Sequence, residues 1–180
     1  DLYHTAIHAL MDKGLVFACS CTRTDVRRAS GSMTYAGTCA QKMLDLSTGG
    51  TSLRLNTPET AVPYPVVRQK SGAPAYMIAS MVDDIHFGIT HIVRGEDLHP
   101  ASQTQQHLAT LVDMLAPFQK IEIVHHPLIV DEHGVKLSKS QGSTDLRALR
   151  EQGVGPERVI AAVGRYLGVA EARRLDDLLT

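Results

Sequence analysis

The stretch AYMIASMVDDIHFGITHIVRGEDL, residues 75–98, sets a helix directly before a strand. AYMIASMVDDIHF reads as a helix whose face includes Tyr76, Ala79 and Met81, and ITHIV as a β-branched strand. The alternation continues outward on both sides. VVRQ (66–69) reads as a short strand, ASQTQQHLATLVDML (101–115) as a second helix and IEIV (121–124) as another strand. PLIVDEHGVKL (127–137) reads as a hairpin turning at Glu132–Gly134. Strands alternating with helices predict an α/β fold with a largely parallel sheet.

Before this region, LYHTAIHALMDKG is a helix with apolar positions at Leu2, Ile7, Leu10 and Met11, stopped by Gly14. A short strand over Leu15–Ala18 leads into a cysteine-bearing lobe, and residues 46–65 read as loop around a strand at Ser52–Leu55. After Gly142 the chain turns helical through TDLRALREQG and PERVIAAVGRYLG, with Pro156 near the second start. The pattern divides into a leading helix (1–14), a lobe (15–64), an α/β region (65–142) and a helical end (143–180).

Hydrophobic content of 43% and charge of 21% are those of a soluble globular chain, and aromatic content of 4% with no Trp leaves the core to aliphatic packing. No apolar run has the length of a membrane span. The net charge of −1 points to no partner. Between Gly134 and Arg174, eight Lys or Arg face four Asp or Glu, and a solvated helical face is the simpler account of that excess.

All three cysteines, Cys19, Cys21 and Cys39, fall within 21 residues of one another. C-x-C followed by a third thiol reads better as metal-binding than as disulfide in an intracellular chain. Zinc takes four ligands in a tetrahedron, so a fourth donor is needed. No His lies between His8 and His86, and the nearby oxygen donors are Asp25, Tyr35 and Asp45. Tyr35, four residues before Cys39, is placed to share a centre with it, but spacing alone leaves the fourth ligand open.

Two further segments carry chemistry. In an open α/β sheet, ligands gather at the carboxyl ends of the strands. Arg94, ending the strand before GEDL, can grip a carboxylate in a bidentate fork or pair with Glu96 or Asp97 as a structural clamp. KLSKSQGS (136–143) sets Lys136 and Lys139 among Ser138, Ser140 and Gly142. Such a pliant cationic loop suits a triphosphate that sheds pyrophosphate, although an exposed basic turn has the same composition.

KLSKS resembles the second signature of class I aminoacyl-tRNA synthetases. With AYMIASMVDDIHFGITHIVRGEDL and HHPLIVDEHGVKLSKS, residues 65–142 are similar to the catalytic domain of the glutamyl/glutaminyl branch. Glutamyl-Q tRNA(Asp) synthetases carry zinc on a C-x-C…Y-x-x-x-C pattern, which Cys19, Cys21, Tyr35 and Cys39 reproduce. The resemblance implies structural zinc on those four residues. It implies glutamate contacts at Tyr76 and Arg94, and ATP contacts at Lys139 and Ser138 with Lys136 as the companion lysine. It also implies the second half of a Rossmann-type parallel sheet with a small zinc-binding lobe and a helical C-terminal segment. The implied activity is activation of glutamate by ATP with Mg2+, then transfer to queuosine of tRNA(Asp). A cytoplasmic monomer without membrane association is expected. No general base is required, because the substrate carboxylate is already the nucleophile, so Asp83 and Asp84 are expected to be helix-end structure.

Departures from the family pattern shape the rest. The first class I signature, His-x-Gly-His, is absent, and HFGI at His86–Ile89 only imitates its opening. Thr104 stands before Gln105 where the family commonly has Arg. The chain is therefore expected to be one part of an enzyme, inactive by itself. Two other readings remain: a fragment of a glutamyl-tRNA synthetase, and a non-catalytic, zinc-stabilised remnant that binds nucleotide or tRNA.

Overall fold

The computed structural model describes residues 1–130, 133–136 and 145–179. It divides into two compact units, Asp1–Pro127 and Leu128–Thr180.

The first unit opens with helix α1 (Leu2–Asp12), whose N-terminus is capped by the Asp1 carboxylate accepting from the His4 N–H at 2.9 Å. An antiparallel sheet follows, built from β1 (Val16–Cys19), β2 (Ser52–Leu55) and β3 (Val66–Arg68) in that spatial order. The long β1–β2 connection carries helix α2 (Arg23–Ser30), which closes on a Thr22–Asp25 capping box and a left-handed Gly31. Next come α3 (Tyr76–His86), β4 (His91–Gly95), α4 (His99–Leu108), a 3-10 segment (Asp113–Lys120) and β5 (Glu122–His126). Strands β4 and β5 are parallel, with Arg94 opposite His125 and Gly95 opposite His126.

The expected α/β alternation and its parallel pairing are present, but among the described residues the parallel pairing is that of β4 with β5. The strand at VVRQ lies antiparallel to β2 rather than in the parallel sheet. Its link to β2 contains no helix that could carry the chain back across a sheet, so only the antiparallel return is open to it. The expected helix over 101–115 stops at Leu108 and resumes as the 3-10 segment containing Pro117. Within that later segment Pro117 lacks the amide proton that an α-helical hydrogen bond would need.

One core joins these layers. Ala6, Ile7 and Leu10 of α1 meet Ile78 and Met81 of α3, Leu108 of α4, and Leu115 and Phe118 of the 3-10 segment. Leu53, Leu55 and Val67 bring the antiparallel sheet into the same cluster. A second, smaller core of Phe17, Cys19, Val26, Tyr35 and Cys39 sits in the lobe.

The second unit contains α5 (Leu146–Glu151), capped by Asp145, and α6 (Pro156–Leu167), which starts on Pro156 and ends at a left-handed Gly168. An antiparallel bridge joins Val130 to Lys136, the two arms of the expected hairpin; Glu132 of its turn lies outside the described residues. Among the described residues, no helix is long and apolar enough to cross a membrane.

Leu108 is fully buried at the meeting of α3, α4 and the 3-10 segment. Leu108→Ala is expected to cost about 2–5 kcal/mol, measured as a lower urea midpoint with an unchanged slope.

Candidate functional site

The carboxyl ends of β4 and β5 hold a buried polar network. Arg94 is 8% exposed, and its Nη1 donates to Gln105 Oε1 at 2.9 Å. Gln105 is fully buried on α4, and its Nε2 donates to Ser80 Oγ at 2.8 Å and to the Met77 carbonyl at 3.3 Å. Ser80 Oγ in turn donates to the Tyr76 carbonyl at 2.9 Å. One amide therefore ties the guanidinium at the end of β4 to the first turn of α3, which carries Tyr76. The side chain that meets Arg94 here, Gln105, lies eleven positions further along the chain.

Beside Arg94 stands His125, whose Nε2 lies 2.8 Å from Ser102 Oγ and whose ring centroid lies 4.7 Å from that of His99. Ser102 Oγ also lies 3.1 Å from the Leu98 carbonyl, which accepts from it. Burial pushes the His125 pKa down, and the positive charges of His99 and Arg94 push the same way. Burial raises the Asp84 carboxyl, and Asp83 adds to this, while Arg94 opposes both. Asp83 accepts a 2.6 Å hydrogen bond from Tyr3 of α1, a structural use of the kind expected for it.

Thr104 is fully buried. Its hydroxyl donates to the Pro100 carbonyl at 2.9 Å and accepts from the Val62 N–H at 3.0 Å, pinning α4 to the loop before β3. Tyr76 is 56% exposed and lines a cavity of about 530 Å³ with Arg54, Tyr35, Met33, Pro63 and Met77.

That cavity is walled on one side by the cysteine lobe. Cys19 Sγ donates to Tyr35 Oη at 3.3 Å, Cys21 and Cys39 Sγ are 3.5 Å apart, and the Cys39 N–H donates to Tyr35 Oη at 2.8 Å. The three sulfurs lie within 4.8 Å of one another, close enough to ligate one metal ion. The four side chains named from the sequence thus converge. Phe17 and Tyr64 brace the Tyr35 ring, and the Arg54 guanidinium sits 3.9 Å above its centroid. Gly37 is obligatory here: its φ is +77°, and a Cβ would meet the Tyr64 ring at 2.9 Å.

Electrostatics separate the three thiols. Burial raises the Cys21 thiol, with the neighbouring sulfurs adding, to about 11. At Cys39 burial also raises, but hydrogen bonds from Tyr35, Cys21, the Ser20 backbone and Cys19 outweigh it and bring the thiol down to about 7. Tyr35 is pushed up, by burial first and then by its bonds to Cys19 and Cys39.

Lys136 is exposed in the second unit. Ser138 and Lys139 lie outside the described residues.

The model of the class I tRNA synthetases (E and Q), catalytic domain, matches residues 40–175. The chain belongs to this family. It is 31% identical to the glutamyl-Q tRNA(Asp) synthetase of Nocardia farcinica, over 93% of this chain and 60% of that protein. It is 33% identical to the enzyme of that name from Prochlorococcus marinus, over 88% of this chain and 54% of that protein. A glutamate--tRNA ligase of Salinispora arenicola is 30% identical over 84% of this chain and 35% of its own length. The fold is similar to that of a glutamate tRNA ligase from Elizabethkingia meningosepticum in complex with its amino acid, with a TM-score of 0.66 at 19% identity. That likeness covers 99% of this chain and 47% of the other. The chain thus spans a little over half the length of the two glutamyl-Q relatives.

Within this family member, the sequence pointed to Arg94 and Tyr76 but passed over Gln105, Ser102 and His125 as site components. A signal existed for Gln105: with Ala101, Thr104 and Leu108 it lies on the inward side of α4, where an amide needs a buried partner.

Gln105→Ala removes the amide from a buried guanidinium and is expected to cost about 1.5–3 kcal/mol, more than Ser102→Ala, measured by urea unfolding of both variants.

Proposed function

We propose that this chain is the second part of a catalytic unit that activates glutamate with ATP and Mg2+ and passes the glutamyl group to queuosine of tRNA(Asp). The observation carrying this reading is Arg94, buried at the carboxyl end of a parallel strand and locked by Gln105 to the helix bearing Tyr76. A fixed, desolvated guanidinium there suits a carboxylate held in one orientation, and Tyr76 borders the adjoining cavity. In the proposed step, a glutamate carboxylate oxygen bonds to the α-phosphorus of ATP while the bond to pyrophosphate breaks. Lys136 and Lys139, with Ser138, neutralise the departing charge. Queuosine as acceptor rests on the names of the relatives with the higher identities.

The proposed metal is structural zinc on Cys19, Cys21, Tyr35 and Cys39. Zinc–sulfur bonds near 2.3 Å set sulfur–sulfur edges of about 3.8 Å in a tetrahedron, and the 3.5 Å between Cys21 and Cys39 is compatible with this. Four protein ligands leave no open position, so the ion would staple the lobe rather than take part in the chemistry.

The outer face of the parallel pair supports the reading of a partial unit. Val93 is 70% and Val124 is 44% exposed, side by side in register. Parallel sheets ordinarily bury both faces, so a further layer is expected over these valines in the working enzyme. The second reading, a part of a glutamyl-tRNA synthetase, draws on the Salinispora relative.

Calorimetric titration with a non-hydrolysable glutamyl-adenylate mimic is expected to show binding that Arg94→Ala removes; binding indifferent to Arg94 refutes the site. ATP–pyrophosphate exchange by these 180 residues is expected to equal that of Lys139→Ala, and exchange above that control refutes the partial-unit reading. In a full-length protein carrying this sequence, queuosine-containing tRNA(Asp) should accept glutamate in preference to tRNA(Glu).

Zinc removal should lower the melting temperature, with one ion bound per chain by elemental analysis and less than one in Cys39→Ser. An unchanged transition after verified metal loss would exclude the staple.

A further inference from the structure

The three thiols are not equivalent in their freedom to move. Cys19 is the last residue of β1, fully buried, held in register with Ser52, and donates its proton to Tyr35. Cys21 and Cys39 lie outside helix and strand, the first just before the cap of α2 and the second in the turn at 38–41. Their sulfurs are 3.5 Å apart. Closing that gap to a disulfide bond of about 2.05 Å asks each sulfur to move by roughly 0.7 Å. Cys21 is also the one thiol of the three that is not fully buried, so an oxidant reaches the pair from its side.

We infer that Cys21 and Cys39 form an oxidation site at which a hydroperoxide converts the metal-free lobe to an intramolecular disulfide, leaving Cys19 reduced. One sulfur of the pair attacks the peroxide O–O bond, forming a sulfenic acid and releasing water. The second sulfur then displaces the hydroxyl as a second water, and the S–S bond forms. Two thiols and one hydrogen peroxide give one disulfide and two waters; the sulfurs lose two electrons and the peroxide gains them. Reduction by a small thiol reverses the step. The bond consumes two of the four converging donors, so an oxidised lobe cannot hold a tetrahedral ion. The site is then a choice between metal and disulfide. The disulfide does not depend on the proposed synthetase activity; only release of the ion rests on the zinc assignment.

The test treats the chelator-stripped chain with hydrogen peroxide, blocks remaining thiols with N-ethylmaleimide under denaturing conditions, and reads peptides by mass spectrometry. Cys19 and Cys21 share the tryptic peptide GLVFACSCTR, so fragmentation between them decides which is linked. The expected product is two hydrogens lighter, with Cys21 joined to Cys39 and one maleimide on Cys19. Cys19→Ser should retain the link and Cys21→Ser should lose it. In the zinc-loaded chain, peroxide should release one ion per disulfide formed, followed with a chromogenic chelator. A link through Cys19, disulfide between chains, or oxidation to sulfinic acid without a link overturns the inference. Formation of the Cys21–Cys39 link without release of bound ion overturns its metal half alone.

Discussion

A guanidinium almost wholly withdrawn from water must be compensated; the amide oxygen of Gln105 satisfies one of the Arg94 donors, and Asp84 is within electrostatic reach of its charge. The same amide spends its two protons on Ser80 and on the Met77 carbonyl. Strand β4, helix α3 and helix α4 are thus tied at one polar point beneath the carboxyl ends of the parallel pair. The apolar contacts around Ile78, Met81 and Leu108 hold the layers together without specifying register. The buried amide adds the register, because a shift of α4 by one residue would strand both a charge and an amide. Thr104 makes the arrangement stricter by fastening the next position of α4 to the Val62 amide.

The lobe solves a different problem with similar means. Its core is small, and beside Phe17 and Val26 it contains two buried thiols and a phenol, with Cys21 packed against them. Tyr35 unites them: its hydroxyl accepts from Cys19 and from the Cys39 backbone, and its ring lies between two aromatic neighbours under Arg54. Arg54 also donates to the Tyr64 carbonyl, and Tyr64 fits only because residue 37 has no Cβ. The lobe and the cavity beside Tyr76 consequently share a wall, so order in one shapes the other.

How much the residues alone reveal depends on whether a feature is local. Helix caps, the Gly14 stop and the β-branched run at 89–93 are local, and the elements follow closely. Helix α2 was not foreseen, since its eight mostly polar residues bury only Val26; its capping box was the available signal. The parallel pairing of β4 with β5 follows from the intervening helix. The pairing of β3 does not, because a strand's partner depends on where the connection can reach, not on its own composition.

Sequence by itself determined the family, through the order and spacing of the segments around Arg94 and Lys136, and it named the four side chains that converge in the lobe. Tertiary structure decided what those groups touch: Arg94 on Gln105, Arg54 over Tyr35, Cys21 against Cys39, and Val93 beside Val124 in parallel register. The physical reason is reach. Periodicity and capping act within a turn or two of the chain, whereas a buried charge or a convergent sulfur finds its partner wherever packing brings the chain back.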